Sequence, residues 1–179
     1  RFIIAHPFNP VYLLPLVELV KGRKTKHTYI NKSKLFYQSL GMQTLILKKE
    51  IEGYLSDRLQ EAIWRESLHI IKENLASTED LDKAIINGPG LRWSLMGIFL
   101  TFHLAGGKNG IKHMLEQFGP TLKLPWTKLK APNLTNELKN KIIRGIKKQS
   151  KKNSIKELTR LRDNFLIDLL KLKNKYKIK

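Results

Sequence analysis

The chain has 179 residues, 41% of them hydrophobic, with 34 Lys and Arg set against 15 Asp and Glu for a formal net charge of +19. That apolar fraction excludes a disordered tail and suits one domain or two small ones. The lack of cysteine excludes a disulfide framework, a thiolate nucleophile and a thiolate metal site, and the early apolar stretch at residues 13–17 stops at Glu18, far short of the roughly 18 residues of a membrane-spanning helix. A cytoplasmic protein without a membrane segment is expected.

In chain order, residues 2–5, 16–20 and 44–47 read as short buried strands, with a helix over 32–40 ended by Gly41. Three strands cannot make a covered parallel sheet alone. The chain also starts without Met inside an apolar run, Arg1-Phe2-Ile3-Ile4-Ala5, so it is expected to be the C-terminal part of a longer protein. After Glu50 the texture turns helical. Leu59, Ala62, Ile63, Ile70, Ile71 and Leu75 recur at three and four residues, predicting a helix with one buried face that carries Glu66, whose carboxylate then calls for a structural salt bridge. Ser77-Thr78 can cap a helix over 79–86. Asn87-Gly88-Pro89-Gly90 is a break, followed by helices over 91–104 and 111–118. Residues 119–126 are too rich in proline for a regular helix and read as an ordered loop anchored by Trp126. Two basic helices close the chain, the last opened by a capping box in Ser154-Ile155-Lys156-Glu157 and carrying an apolar stripe at Ile155, Leu158, Leu161, Phe165, Leu169 and Leu172.

Residues 139–179 hold 15 Lys and Arg against 3 acidic residues, a local +12 that leaves +7 for the first 138. Phe165 and Tyr176 are the only aromatics there, and Phe165 lies on the apolar stripe, so a solvated lysine face is favoured over nucleic-acid binding.

Common site motifs are missing. Gly88 and Gly90 are followed at the required position by Trp93 rather than glycine, and Gly107-Lys108 by Asn109 rather than Ser or Thr, so neither a dinucleotide fingerprint nor a Walker loop is present. The histidines His6, His27, His69, His103 and His113 show no ligand spacing, and no metal is expected. What remains is His6-Pro7-Phe8-Asn9-Pro10 after an apolar strand, with Glu18 ending Leu13-Leu14-Pro15-Leu16-Val17. A carboxylate bonded to one imidazole nitrogen fixes the tautomer and leaves the other nitrogen to take a proton. By spacing alone, plain structural roles for a His-Pro turn and a lone Glu in an apolar strand are favoured over a catalytic pair.

The stretch from His6 to Glu18 resembles the active-site segment of the L-3-hydroxyacyl-CoA dehydrogenase superfamily. Glu50-Ile51-Glu52-Gly53-Tyr54-Leu55-Ser56-Asp57-Arg58-Leu59 resembles the segment that opens that family's helical domain, with Asp57 where the superfamily usually carries Asn. Asp57-Arg58-Leu59, Glu61-Ala62-Ile63-Trp64-Arg65-Glu66, Gly90-Leu91-Arg92-Trp93-Ser94-Leu95-Met96-Gly97, Ala105-Gly106-Gly107, Gln117-Phe118-Gly119-Pro120, Leu124-Pro125-Trp126-Thr127 and Leu161-Arg162-Asp163 resemble its L-carnitine dehydrogenase subgroup, over nearly the whole chain.

The resemblance implies a mainly α fold: residues 1–48 as the last strands of an NAD-binding Rossmann domain, and residues 49–179 as a helical substrate and dimerisation domain of the 6-phosphogluconate dehydrogenase C-terminal-like type. It implies a homodimer, NAD as cofactor, and a missing N-terminal part on the order of 100 residues with the NAD fingerprint, so that the chain alone is inactive. It implies oxidation of the 3-hydroxyl of L-carnitine, with His6 as general base oriented by Glu18. The other readings are an acyl-CoA or sugar-acid dehydrogenase of the same superfamily, and an inactive dimeric helical remnant with a basic tail. Asn9 holds the turn or meets the substrate. An ionised Asp57 favours a cationic substrate or makes a salt bridge with Arg58 or another base at the helix start. Trp93, Phe99 and Phe102 offer aromatic faces to a quaternary ammonium or pack in the core or dimer interface. Arg92 binds the substrate carboxylate, from its own or the partner subunit, or makes an interface ion pair.

Overall fold

A computed structural model describes residues 2–128, 130, 132–133, 135–149 and 154–176. The protein is mainly helical with one small sheet, and it divides into two compact units, Arg1–Glu61 with Glu157–Lys179, and Ala62–Lys156.

In the first unit, alternation along two short apolar segments builds the sheet. Strand β1 (Ile3–Pro7) pairs antiparallel with β2 (Leu16–Lys21), and β2 pairs parallel with β3 (Gln43–Ile46), giving a mixed sheet in the order β1-β2-β3. Helix α1 (His27–Ser39) packs on it. Val17 and Leu19, which share one face of β2 because side chains alternate, meet Ile30 of α1 in a fully buried cluster, with Ile3, Ala5, Tyr37, Met42 and Ile46 around it. Two boundaries differ from the sequence expectation. Helix α1 starts five residues earlier than Lys32, because Ile30, a lone apolar anchor in a lysine-rich run, is buried against β2. Strand β1 continues through His6 to Pro7, so the histidine lies within the sheet rather than after it.

Helix α2 (Leu55–Lys72) is continuous across the boundary between the units. In the second unit it is followed by α3 (Thr78–Asn87), α4 (Pro89–Trp93), α5 (Ile98–Ala105), α6 (Gly110–Phe118) and α7 (Asn136–Gln149). Leu68 and Ile71 of α2 and Leu138 of α7 are buried. Helix α3 begins with the expected cap. Ser77 Oγ accepts from the Asp80 amide at 3.1 Å, and the Asp80 carboxylate accepts from the Ser77 amide at 3.3 Å. Ser77→Ala should lower unfolding stability by about 1 kcal/mol, read as a shift of the denaturation midpoint.

Three expectations change here. The single helix expected over 91–104 is two, α4 and α5, because Gly97 adopts an extended backbone and opens a new helix; Trp93 therefore lies on a different helix from Phe99 and Phe102. Gly119–Lys123 form a 3₁₀ turn rather than a loop. The segment after it is anchored not by Trp126, which is 70% exposed, but by Lys128. The Lys128 amide donates to Glu66 Oε2 at 2.6 Å, so among the described residues Glu66 finds a backbone donor rather than the expected salt bridge, and the Lys128 ammonium pairs with Glu73, holding that carboxyl below the usual carboxylate range. Lys141 donates to the Ile71 carbonyl at 2.5 Å and to Asn74, satisfying the carboxyl end of α2.

The last helix, α8 (Ile155–Lys175), belongs with the first unit. Its apolar stripe is largely open, with Leu161 66% and Phe165 65% exposed.

Candidate functional site

Antiparallel register brings His6 and Glu18 together. The two residues are directly opposite each other across β1 and β2, so their side chains leave the same face of the sheet, the face away from Val17 and Leu19. His6 Nδ1 lies 3.3 Å from Glu18 Oε2. A carboxylate accepts, so the tautomer that suits this contact carries its hydrogen on Nδ1, and in that neutral form the lone pair is on Nε2.

Glu18 is completely buried in the run Leu16-Val17-Glu18-Leu19-Val20. A buried carboxylate costs several kcal/mol unless its oxygens are bonded. Oε2 has His6; Oε1 accepts from the backbone amides of Leu55 at 3.0 Å and Ser56 at 3.4 Å. Those amides open α2 and have no partner within the helix, so the carboxylate caps the helix while the positive end of its dipole supports the charge.

The turn that delivers these amides is left-handed at two consecutive residues, Gly53 at φ 72° and Tyr54 at φ 48°. Glycine adopts this region freely, whereas tyrosine pays about 1–2 kcal/mol for it. The Tyr54 ring stacks on the His6 imidazole, with centroids 4.3 Å apart and planes within 10°. Asp57, in the first turn of α2, places Oδ2 3.5 Å from His6 Nε2. The alternative pairing of Asp57 with Arg58 is not among the contacts of the described residues. His6 thus has a carboxylate at each nitrogen and an aromatic ring on one face, and its side chain remains 29% exposed.

The loop joining β1 to β2 holds Asn9, which precedes a cis peptide bond to Pro10. Asn9 is exposed, and its amide has no hydrogen-bond partner among the described residues. Further along, Tyr12 ties the loop to α8: its hydroxyl donates to Asp163 Oδ2 at 3.0 Å and accepts from Arg162 Nη2 at 2.9 Å. Arg92, Trp93 and Phe102, the other sequence candidates, belong to the second unit. Arg92 and Trp93 are on α4 and Phe102 on α5, with Arg92 and Phe102 exposed and Trp93 half-buried.

Sequence reasoning missed Tyr54 and the amides of Leu55 and Ser56. A glycine before an aromatic residue at a helix start was the available signal for the turn, but nothing local told which ring Tyr54 would meet. An open cavity of about 720 Å³ in the first unit is lined by Lys21, Arg23, Lys48 and Lys49, by Glu50 and Glu52, and by Tyr54; His6 does not line it. Among the described residues there is no cluster of three His, Asp or Glu that could hold a metal ion, and no helix long and apolar enough to cross a membrane.

Residues 1–51 match the family model of the 3-hydroxyacyl-CoA dehydrogenase NAD binding domain, and residues 53–149 that of the 3-hydroxyacyl-CoA dehydrogenase C-terminal domain. An L-carnitine dehydrogenase of Bacillus cereus is 59% identical over 176 residues, covering 98% of this chain and 54% of that protein. Its counterpart in Oceanobacillus iheyensis is 54% identical, covering 98% and 57%, and that of Pseudomonas aeruginosa 49% identical, covering 95% and 53%. The chain spans about half the length of the curated relatives it matches. A crystal structure of a 3-hydroxyacyl-CoA dehydrogenase from Archaeoglobus fulgidus superposes over 100% of this chain and 60% of that one, with a TM-score of 0.52 at 23% identity. FHMPC 5-dehydrogenase, an NAD⁺-dependent dismutase, superposes over 98% and 56% with a TM-score of 0.68 at 16% identity. These two likenesses show the fold alone.

Proposed function

Because the chain belongs to the 3-hydroxyacyl-CoA dehydrogenase family, we propose that it carries the base-bearing part of an NAD-dependent dehydrogenase that oxidises the 3-hydroxyl of L-carnitine to 3-dehydrocarnitine. The observation that carries this reading is the His6–Glu18 pair, with Nδ1 against a buried carboxylate and the histidine side chain still 29% exposed. The names of relatives at 49–59% identity supply the substrate. Residues 1–48 then end the NAD-binding domain, and residues 49–179 form a helical substrate and dimerisation domain of the 6-phosphogluconate dehydrogenase C-terminal-like type.

The residues present fit the reacting end of the cofactor's site: a strand-borne histidine whose side chain is 29% exposed, on a strand followed by a loop whose Asn9 is exposed. When bound, the nicotinamide supplies the acceptor for the hydride that leaves the carbinol carbon. Within this chain, His6 Nε2 takes the hydroxyl proton. Glu18 holds the Nδ1–H throughout, so the imidazolium that forms keeps one charge-assisted bond, and Asp57 Oδ2 is in place to receive the new Nε2–H.

Carnitine joins a trimethylammonium to a carboxylate. In the first unit Asp57 favours the cation; the second unit by itself carries aromatic faces at Trp93 and Phe102 of the kind a quaternary ammonium prefers and a guanidinium at Arg92 of the kind a carboxylate prefers. The partner is a second copy bound through the helical domain. Support comes from α5, Ile-Phe-Leu-Thr-Phe-His-Leu-Ala, which is apolar on nearly every side yet leaves Phe99 84%, Leu100 60% and Leu104 63% exposed.

NAD reduction by the full-length gene product with L-carnitine, 3-hydroxybutyryl-CoA and gulonate tests the reading; turnover with the acyl-CoA alone would sink it. Asp57→Asn removes one charge a few Å from the reacting nitrogen at a half-open position, where a partly screened interaction is worth about 1.4 kcal/mol. The variant should lower kcat/KM for both, because Asp57 faces His6 Nε2, but about tenfold more for L-carnitine than for an uncharged 3-hydroxy substrate.

A further inference from the structure

We infer that Tyr54 is a positioning residue for the base: its left-handed backbone lays an aromatic ring flat on His6 and so fixes the direction of Nε2. The inference rests on the reading of His6 as the proton acceptor. A side chain held only by one bond at Nδ1 can still pivot about that bond and swing Nε2 away from the substrate. Tyr54 opposes this rotation, since its ring lies 4.3 Å from the imidazole and nearly parallel to it. Once His6 takes a proton, the same ring presents its negative face to a cation.

The backbone argues that this contact is selected rather than incidental. Tyrosine at φ 48° is disfavoured, and strain of this kind persists where the surroundings over-determine it, often at functional sites. Here the surroundings are on the page. Gly53, at φ 72°, sets the turn, and a Cβ there would come within 3.2 Å of the Arg58 side chain. Immediately after the turn, the amides of Leu55 and Ser56 bond Glu18, and Asp57 reaches Nε2. Five consecutive residues, 53–57, therefore support the ring, the carboxylate and the acceptor nitrogen of the pair. Relaxing Tyr54 would release the ring without removing either carboxylate.

The test uses the full-length gene product with Tyr54→Asn, Tyr54→Phe and His6→Gln. Asparagine tolerates the left-handed backbone, so Tyr54→Asn removes the ring and keeps the turn. It should lower kcat by about tenfold to hundredfold with KM little changed, the cost of a misdirected base. It should also alter the pH dependence of kcat, which reports His6 together with the Glu18 and Asp57 carboxylates that face it. In ¹⁵N relaxation of the imidazole it should show greater ring motion, with the Nδ1–H tautomer kept by Glu18. Tyr54→Phe should restore all three. Wild-type kcat, pH profile and ring order in Tyr54→Asn would overturn the inference, as would a change confined to KM, which would make Tyr54 a substrate contact. A Tyr54→Phe as impaired as Tyr54→Asn would also overturn it, because the hydroxyl rather than the ring would be at work. Turnover surviving in His6→Gln would instead overturn the underlying reading of the base.

Discussion

His6→Gln in the full-length gene product should lower kcat by about 10²- to 10⁴-fold while leaving KM and the folded structure nearly unchanged. The size follows from what a positioned general base contributes, about 3 to 5 kcal/mol of barrier at 1.36 kcal/mol per factor of ten. The direction follows from the geometry. Glutamine retains an amide that can satisfy Glu18 from the same strand position, so the buried carboxylate keeps a donor and the ladder pairing of residues 6 and 18 is undisturbed. What it lacks is a nitrogen whose lone pair can take a proton near neutral pH. Steady-state kinetics and a circular dichroism melt decide the matter together. A loss of turnover with an unchanged melt supports the role of base, whereas a variant that keeps more than about a tenth of the wild-type rate would require another acceptor for the hydroxyl proton.

How much of this was written locally can be read residue by residue. The strands were legible because Ile3-Ile4-Ala5 and Leu16-Val17-Glu18-Leu19-Val20 are short apolar runs, and the one acidic residue in the second run marked a position that needed partners. The partners themselves were not legible. That His6 faces Glu18 depends on antiparallel register, fixed by the whole β1–β2 hairpin rather than by either segment. That Glu18 caps α2 depends on a contact 37 residues away in sequence. Tyr54 was visible as part of a family-like stretch, but its stacking requires a left-handed turn whose effect lies across the fold. On the helical side, the break between α4 and α5 was hidden because residues 91–104 are so uniformly apolar that no periodicity marks an interruption. The anchoring role passed from Trp126 to Lys128 because burial of an indole requires a neighbour to cover it, whereas Lys128 needed only the acidic residues Glu66 and Glu73.

The largest combined effect on fold and chemistry is expected at Glu18, and two substitutions separate its roles. Glu18→Ala removes the acceptor of the His6 Nδ1–H and of the Leu55 and Ser56 amides at once, at a position with no exposure to solvent. Unmade buried bonds cost about 1–3 kcal/mol per group, and the truncated side chain leaves a void on the face of the sheet shared with His6, so a loss of about 3–5 kcal/mol of stability is expected. Most of a typical domain's margin would be gone. Amide hydrogen exchange at Leu55 and Ser56 should accelerate first, since these groups lose their only acceptor and α2 loses its cap. Glu18→Gln keeps the volume and one carbonyl oxygen. That oxygen can still accept from the α2 amides, but the side-chain NH₂ then faces His6 Nδ1, which must give up its hydrogen and become the acceptor. The ring proton moves to Nε2, the atom required to receive the substrate's proton. Turnover should therefore fall by about 10²- to 10⁴-fold with only a small change in the melt, and the imidazole ¹⁵N spectrum should show the opposite tautomer. An active Glu18→Gln enzyme with the wild-type tautomer would mean that the carboxylate serves the helix and not the histidine.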